Sequence, residues 1–221
     1  MTNEEILCHI DHTLLKAVSS WQEIEKLCDE AILYKTASIC IPPSYVRRIN
    51  ETYGGKVNIC TVIGFPLGYN VIDVKIKEAE AALADGAGEL DMVINLGDIK
   101  NQAFQKTEEE ISRLKKTSGN KILKVIVETC YLTTEEKIKL CEIVTSAGAD
   151  YIKTSTGFGA AGATMEDVLL FKEHIGSAVK IKAAGGVKTR EDLEKFILAG
   201  CDRIGTSSAV TLLAGGNAAG Y

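Results

Sequence analysis

Short β-branched runs alternate with amphipathic stretches along the whole chain. Strand-like runs fall near 8–13, 37–41, 57–63, 88–94, 121–127, 150–154, 179–183 and 202–205. Helical patterns lie between most of them, as over 21–34, 73–85 and 134–147. Eight strands with intervening helices predict a parallel sheet, and their number predicts closure into a (β/α)8 TIM barrel. One joint recurs three times: Asp85-Gly-Ala-Gly-Glu-Leu90, Ala147-Gly-Ala-Asp-Tyr-Ile152 and Ala199-Gly-Cys-Asp-Arg-Ile204 each run from a helix end through glycine into a strand. Glycine after a helix tolerates the left-handed conformation that ends it.

Strands covered on both faces usually read as continuous apolar runs. Several here alternate instead. Leu90, Met92 and Ile94 share one face, with Glu89, Asp91 and Val93 on the other; Leu123, Val125 and Val127 oppose Lys124, Ile126 and Glu128; Val179, Ile181 and Ala183 oppose Lys180 and Lys182. The apolar faces are expected to pack against helices. Asp91, Lys124, Glu128, Lys153 and Lys182 are expected to converge inside the barrel, near the C-terminal mouth where barrel enzymes keep their active sites. Lys180 falls one layer lower than Lys182.

Three prolines and no Ser/Pro-rich linker in 221 residues predict a single domain over 1–221, with a flexible C-terminal tail near 214–221. The net charge of −5 argues against a nucleic-acid partner. No apolar run approaches a membrane span, and the acidic first residues lack the order of a signal peptide. Seven cysteines without a C-x-x-C pair read as buried small hydrophobes in a reducing, cytoplasmic protein, and they give no zinc spacing.

The chemistry concentrates in two lysines, Lys153 and Lys182. Each ends a short apolar strand and is followed by a glycine-rich loop. A strand-end lysine alone is ordinarily a surface group that snorkels into water. Two on neighbouring strands of a barrel, facing carboxylates, are another matter. At about 5 Å and an effective dielectric near 20 their charges repel by roughly 3 kcal/mol. That repulsion is expected to lower the proton affinity of both, and a neutral amine attacks carbonyl carbon. Asp91 is either the counter-ion of a buried lysine or a proton shuttle for such chemistry. Gly185 and Gly186 follow the seventh strand, and Gly205, Ser207 and Ser208 follow the eighth, with a helix expected to start at Ser207 or Ser208. Barrels often bind phosphate between these two loops, and Lys188 adds charge there. Cys40 ends the second strand on its inner face, where a buried small residue is the simplest reading.

Six motifs in order resemble the deoxyribose-phosphate aldolase family of Schiff-base-forming barrel enzymes. They are Asp11-His-Thr-Leu14, Val62-Ile-Gly-Phe-Pro-Leu-Gly68, Glu89-Leu-Asp-Met-Val-Ile-Asn95, Lys124-Val-Ile-Val-Glu-Thr129, Tyr151-Ile-Lys-Thr-Ser-Thr-Gly-Phe158 and Lys182-Ala-Ala-Gly-Gly186. The resemblance implies reversible cleavage of 2-deoxy-D-ribose 5-phosphate to D-glyceraldehyde 3-phosphate and acetaldehyde, without cofactor or metal. It implies a Schiff base on Lys153, with Lys182 as its charged neighbour, Asp91 as relay, and Tyr221 in proton transfer at the acetaldehyde enamine. Substrate-binding positions would be Asp11, Cys40, Lys124, Thr154, Gly157, Gly185, Gly186, Lys188, Gly205, Ser207 and Ser208. Many members carry arginine where Lys188 stands; lysine keeps the charge without the bidentate fork. The implied partners are phosphorylated sugar and aldehydes, with a homo-oligomer, a dimer first, as the expected assembly. Two other functions compete: a transaldolase-like enzyme, which usually places its lysine on a different strand, and a non-catalytic sugar-phosphate-binding barrel, which has no need of paired lysines.

Overall fold

A computed structural model of the chain describes residues 1–214 and Gly216. The expected tail lies almost wholly outside the described residues, Tyr221 included. Eight parallel strands close in sequence order: β1 (Ile10–Thr13), β2 (Ser38–Ile41), β3 (Ile59–Ile63), β4 (Glu89–Val93), β5 (Ile122–Ile126), β6 (Tyr151–Lys153), β7 (Lys180–Ala184) and β8 (Arg203–Thr206). The seam pairs β1 with β8 through Ile10↔Ile204, Asp11↔Gly205 and His12↔Thr206. The barrel is the one the alternation predicts. The eighth strand runs through Thr206, so Gly205 lies within it, as the run near 202–205 has it, and not in the phosphate loop beyond.

The main outer helices are α2 (Trp21–Tyr34), α3 (Val46–Tyr53), α4 (Ile72–Ala84), α6 (Phe104–Ser118), α7 (Thr134–Ser146), α8 (Met165–His174) and α9 (Arg190–Ala199). Shorter ones are α1 (Asn3–Leu7), α5 (Leu96–Lys100) and α10 (Ala209–Leu213). Local sequence sets their ends. α2 opens on a capping box of Ser20 and Glu23, buries Ile24, Leu27, Cys28 and Ala31 at helical spacing, and stops at left-handed Lys35. Thr133 with Glu136 and Thr189 with Asp192 open α7 and α9 in the same way. The three repeated joints each place a glycine at positive φ: Gly86 at 113°, Gly148 at 73° and Gly200 at 115°.

Strand parity sorts the core. Leu90, Met92, Ile94, Leu123, Val125, Ile152, Ile181 and Ile204 join the main apolar cluster, to which the outer helices also contribute. The opposite parity faces inward and holds a charged interior with a small apolar group, Leu15, Cys40, Cys60 and Val62, against which Phe65 packs.

Candidate active site

Asp91, on the inner face of β4, is the hub. Its Oδ2 accepts from Lys153 Nζ at 2.7 Å and from Lys182 Nζ at 2.7 Å. Sharing that oxygen, the two nitrogens can be no farther apart than twice this distance. Its Oδ1 accepts from Lys124 Nζ at 2.9 Å and from the Cys60 thiol at 3.1 Å. Register explains the meeting: β6 and β7 pair Lys153 with Lys182, and β4 and β5 pair Asp91 with Lys124.

A second tier lies toward the N-terminal end of the barrel. Tyr151, two residues before Lys153, is the register partner of Lys124. Lys124 reaches Glu89 at 2.5 Å and Asp11 at 3.5 Å. Asp11 takes Lys182 at 2.5 Å, Arg203 at 2.5 Å and the Ser38 hydroxyl at 2.8 Å. Arg203 also reaches Glu89 at 3.0 Å. Four cations therefore face three carboxylates. Lys153 has one carboxylate partner among the described residues, whereas Lys124, Lys182 and Arg203 each have two or more. Lys153 is also 3% exposed where Lys182 is 0%, which makes it both the least compensated lysine of the group and the nearest to solvent.

These carboxylates reverse the electrostatic expectation for Lys182. Burial pushes Lys182 toward neutrality, but Asp11 and Asp91 outweigh it and hold its pKa above the ordinary lysine value. Lys182 stays an ammonium ion. Burial likewise opposes the ionised form of Asp91, and Lys124, Lys153 and Lys182 overcome it, holding that carboxyl well below the usual range. Lys182, Lys124 and Arg203 do the same for Asp11 against its burial.

Asp11 and Lys124 are fully buried and engaged in ion pairs beneath the two lysines. The Thr154 hydroxyl is taken up between strands: it accepts from the Ala184 N–H at 3.1 Å and from Ser155 Oγ at 3.1 Å. Glu128 does not enter the barrel with the others. It sits just past β5 at φ 53°, and its carboxylate takes the Thr156 N–H at 3.1 Å and the Thr156 hydroxyl. Burial raises its pKa. Lys180 is exposed at the start of β7, one layer down as expected, with its ammonium 5.8 Å from the Tyr151 ring centre.

The mouth is built by the loops. Gly185 and Gly186 stand at φ 74° and 75°, consecutive left-handed positions after β7. Gly157 is at φ 89° in the neighbouring loop. A Cβ on Gly162 would fall 2.3 Å from the Gly185 carbonyl carbon, so the two loops touch backbone to backbone. Ser208 caps α10, its N–H donating to Thr206 Oγ1 at 3.1 Å, and Lys188 is exposed beyond Gly186. Cys40 lies fully buried on β2, opposite Cys60 in register. Gly205 serves the interior: a Cβ there would meet Lys182 Cε at 3.2 Å. Two buried triads, Cys40–Cys60–Asp91 and Asp11–Cys60–Glu89, have ligand atoms close enough for an ion. Ammonium groups already bond Cys60 and all three carboxylates.

Cys60, Glu89 and Arg203 complete this network without having stood out as site residues. Parity was their signal. Cys60 and Val62 share the inner face of β3, Glu89 shares that of Asp91, and Arg203 shares that of Gly205.

A family model described as DeoC/LacD family aldolase matches residues 6–217. The chain belongs to this family. A deoxyribose-phosphate aldolase of Clostridium botulinum (strain Alaska E43 / Type E3) is 66% identical over 221 residues, covering 100% of both chains. That of Clostridioides difficile (strain 630) is 57% identical over 210 residues, 95% of this chain and 96% of its own. Among solved structures, the tetrameric deoxyribose phosphate aldolase of Aeropyrum pernix superposes with a TM-score of 0.90 at 32% identity, covering 96% of this chain and 91% of that one.

Proposed function

We propose that the chain is a class I aldolase that reversibly cleaves 2-deoxy-D-ribose 5-phosphate to D-glyceraldehyde 3-phosphate and acetaldehyde. The observation that carries this reading is the pair Lys153 and Lys182 on one oxygen of Asp91. The full-length likeness to deoxyribose-phosphate aldolases supports the choice of substrate.

In this mechanism Lys153 Nζ, in its amine form, attacks C1 of the open-chain aldehyde and gives a carbinolamine. Loss of water, with a proton delivered to the departing hydroxyl, leaves an iminium ion. Lys182, held charged, supplies that proton. Asp91 bridges both nitrogens and passes protons between them without storing one, in keeping with its depressed pKa. The iminium then draws electrons from the C2–C3 bond as the C3 hydroxyl gives its proton to Lys182, which the dehydration left as an amine. Glyceraldehyde 3-phosphate leaves, and an enamine of acetaldehyde remains. Protonation of its methyl carbon, which the family resemblance gives to Tyr221, and hydrolysis of the imine return the free lysine. Gly185, Gly186, Ser207 and Ser208 would form the phosphate site, with Lys188 adding charge. Gly157 and Cys40 would line the sugar's approach. Every step falls to side chains of the chain and needs neither metal nor cofactor. We further propose a cytoplasmic homo-oligomer; the Aeropyrum pernix relative is a tetramer. No helix among the described residues is long and apolar enough to cross a membrane.

The test is borohydride reduction with acetaldehyde in buffer containing a chelator, followed by peptide mapping. The adduct should fall on Lys153, and Lys153→Arg should lose both label and cleavage while keeping its fold. A label that moves to Lys182, or cleavage that stops in the chelator, would overturn the mechanism.

A further inference from the structure

Asp91 does its work through Oδ2, yet nothing covalent fixes which way that oxygen points. The terminal torsion of an aspartate is broad, so the plane of its carboxylate is set by the groups that bond it. Two groups bond Oδ1: Lys124 at 2.9 Å and the thiol of Cys60 at 3.1 Å. Cys60 is fully buried on the inner face of β3, one strand from Asp91. It has a single proton to give. Lys124 Nζ donates to its sulfur at 3.2 Å, which occupies a sulfur lone pair. Two other acceptors are within its reach, the Thr61 carbonyl oxygen at 3.8 Å and the sulfur of Cys40. Of the three, the ionised oxygen of Asp91 at 3.1 Å is the strongest acceptor, and it directs the thiol proton to itself. Burial, and the charge of Asp91 beside it, raise the pKa of Cys60 well above the ordinary thiol value, which keeps the thiol protonated.

We infer that Cys60 is a positioning residue of the aldolase reaction: its thiol holds Asp91 Oδ1, so that Oδ2 stays between Lys153 and Lys182. Being neutral, it does this without adding charge to the excess of cations around Asp91. A fourth ammonium ion on Asp91, in its place, would crowd Lys124. An apolar side chain would leave Oδ1 to Lys124 alone and free the carboxylate to turn. The inference rests on the proposed role of Lys153, and the experiment separates the two.

Three variants, Cys60→Ser, Cys60→Val and Cys60→Ala, are compared with the parent for steady-state cleavage and for the pH dependence of borohydride trapping with acetaldehyde. Valine keeps the volume without the donor, and serine keeps a donor. Valine and alanine should lower kcat by about tenfold, the scale of one modest hydrogen bond to a charged group, with KM within about twofold. Their trapping profiles should be displaced along the pH axis. Serine should recover kcat to within about threefold of the parent and restore the profile. Serine that does no better than valine, a valine variant as active as the parent, or a loss confined to KM would overturn the role of Cys60. A parent that traps acetaldehyde on a lysine other than Lys153 would instead overturn the catalytic reading.

Discussion

Gly205 offers the sharpest test of how tightly the interior is built. It sits inside β8, and its φ is not in the left-handed region, so alanine is allowed by the backbone. The obstacle is space. A Cβ there would lie 3.2 Å from Ala184 Cβ, 3.2 Å from Lys182 Cε and 3.8 Å from Lys182 Nζ. Ordinary carbon contacts fall near 3.5–4.0 Å, so each neighbour must yield by a few tenths of an ångström. Ala184 is fixed by its strand, which leaves Lys182 to move. Lys182 is itself held by Asp11 at 2.5 Å and Asp91 at 2.7 Å. Overpacking of this kind costs about 1–3 kcal/mol. A misplacement of 1 Å at a catalytic group costs on the order of a hundredfold, so half that displacement costs about tenfold. Gly205→Ala should therefore lower the urea midpoint, reduce kcat by about tenfold and leave KM for deoxyribose 5-phosphate within about twofold. Urea unfolding and steady-state kinetics read both. A rise in KM at unchanged kcat would mean that Gly205 belongs to the phosphate loop after all. An unaffected protein would mean that Lys182 is not confined.

Ser208→Asp puts a carboxylate where the substrate phosphate is proposed to sit; KM for deoxyribose 5-phosphate should rise far more than KM for unphosphorylated deoxyribose, and equal losses on both would count against the phosphate loops. Glu128 gives a pH prediction. Burial raises its folded pKa above the unfolded value of about 4.3, so the stability it contributes is full below that value and is lost as pH rises through the folded pKa. Glu128→Gln removes this titration, and its urea midpoint relative to the parent should improve from pH 4 toward neutrality; parallel profiles would refute the assignment.

Much of the fold is written locally. α2 spans 21–34 as its apolar spacing predicts, because the Ser20–Glu23 box and the stripe from Ile24 to Ala31 are short-range signals. The inner parity of Asp91, Lys124, Lys153 and Lys182 was legible for the same reason, since a strand alternates with period two. What stayed hidden depends on distant partners. The charge of Lys182 is decided by Asp11, 171 residues away, and no local pattern announces that pairing. Cys60 reads as core because a thiol in an apolar run is indistinguishable from packing until its neighbour across the sheet is known. Glu128 has the inward parity, but the chain turns left-handed at that residue and redirects it to Thr156. Gly205 reads as loop because nothing in its neighbourhood tells of a lysine arriving from β7.

The bonds of Asp11 also bear on how the barrel is made. Asp11 lies on the first strand, while Lys182 and Arg203, two of the three cations that neutralise it, lie on the last two. During synthesis those partners emerge after nearly the whole chain, and until then Asp11 belongs in water. A sheet of six strands that collapsed early would have to bury that carboxylate without Lys182 or Arg203, a cost of several kcal/mol. The arrangement works as a check on completion: premature compact forms are penalised, and the first and last strands gain an electrostatic reason to find each other. Contacts so distant along the chain slow folding. They also tie both ends of the barrel into one cooperative unit, so the geometry around Lys153 and the closure of the seam stand or fall together.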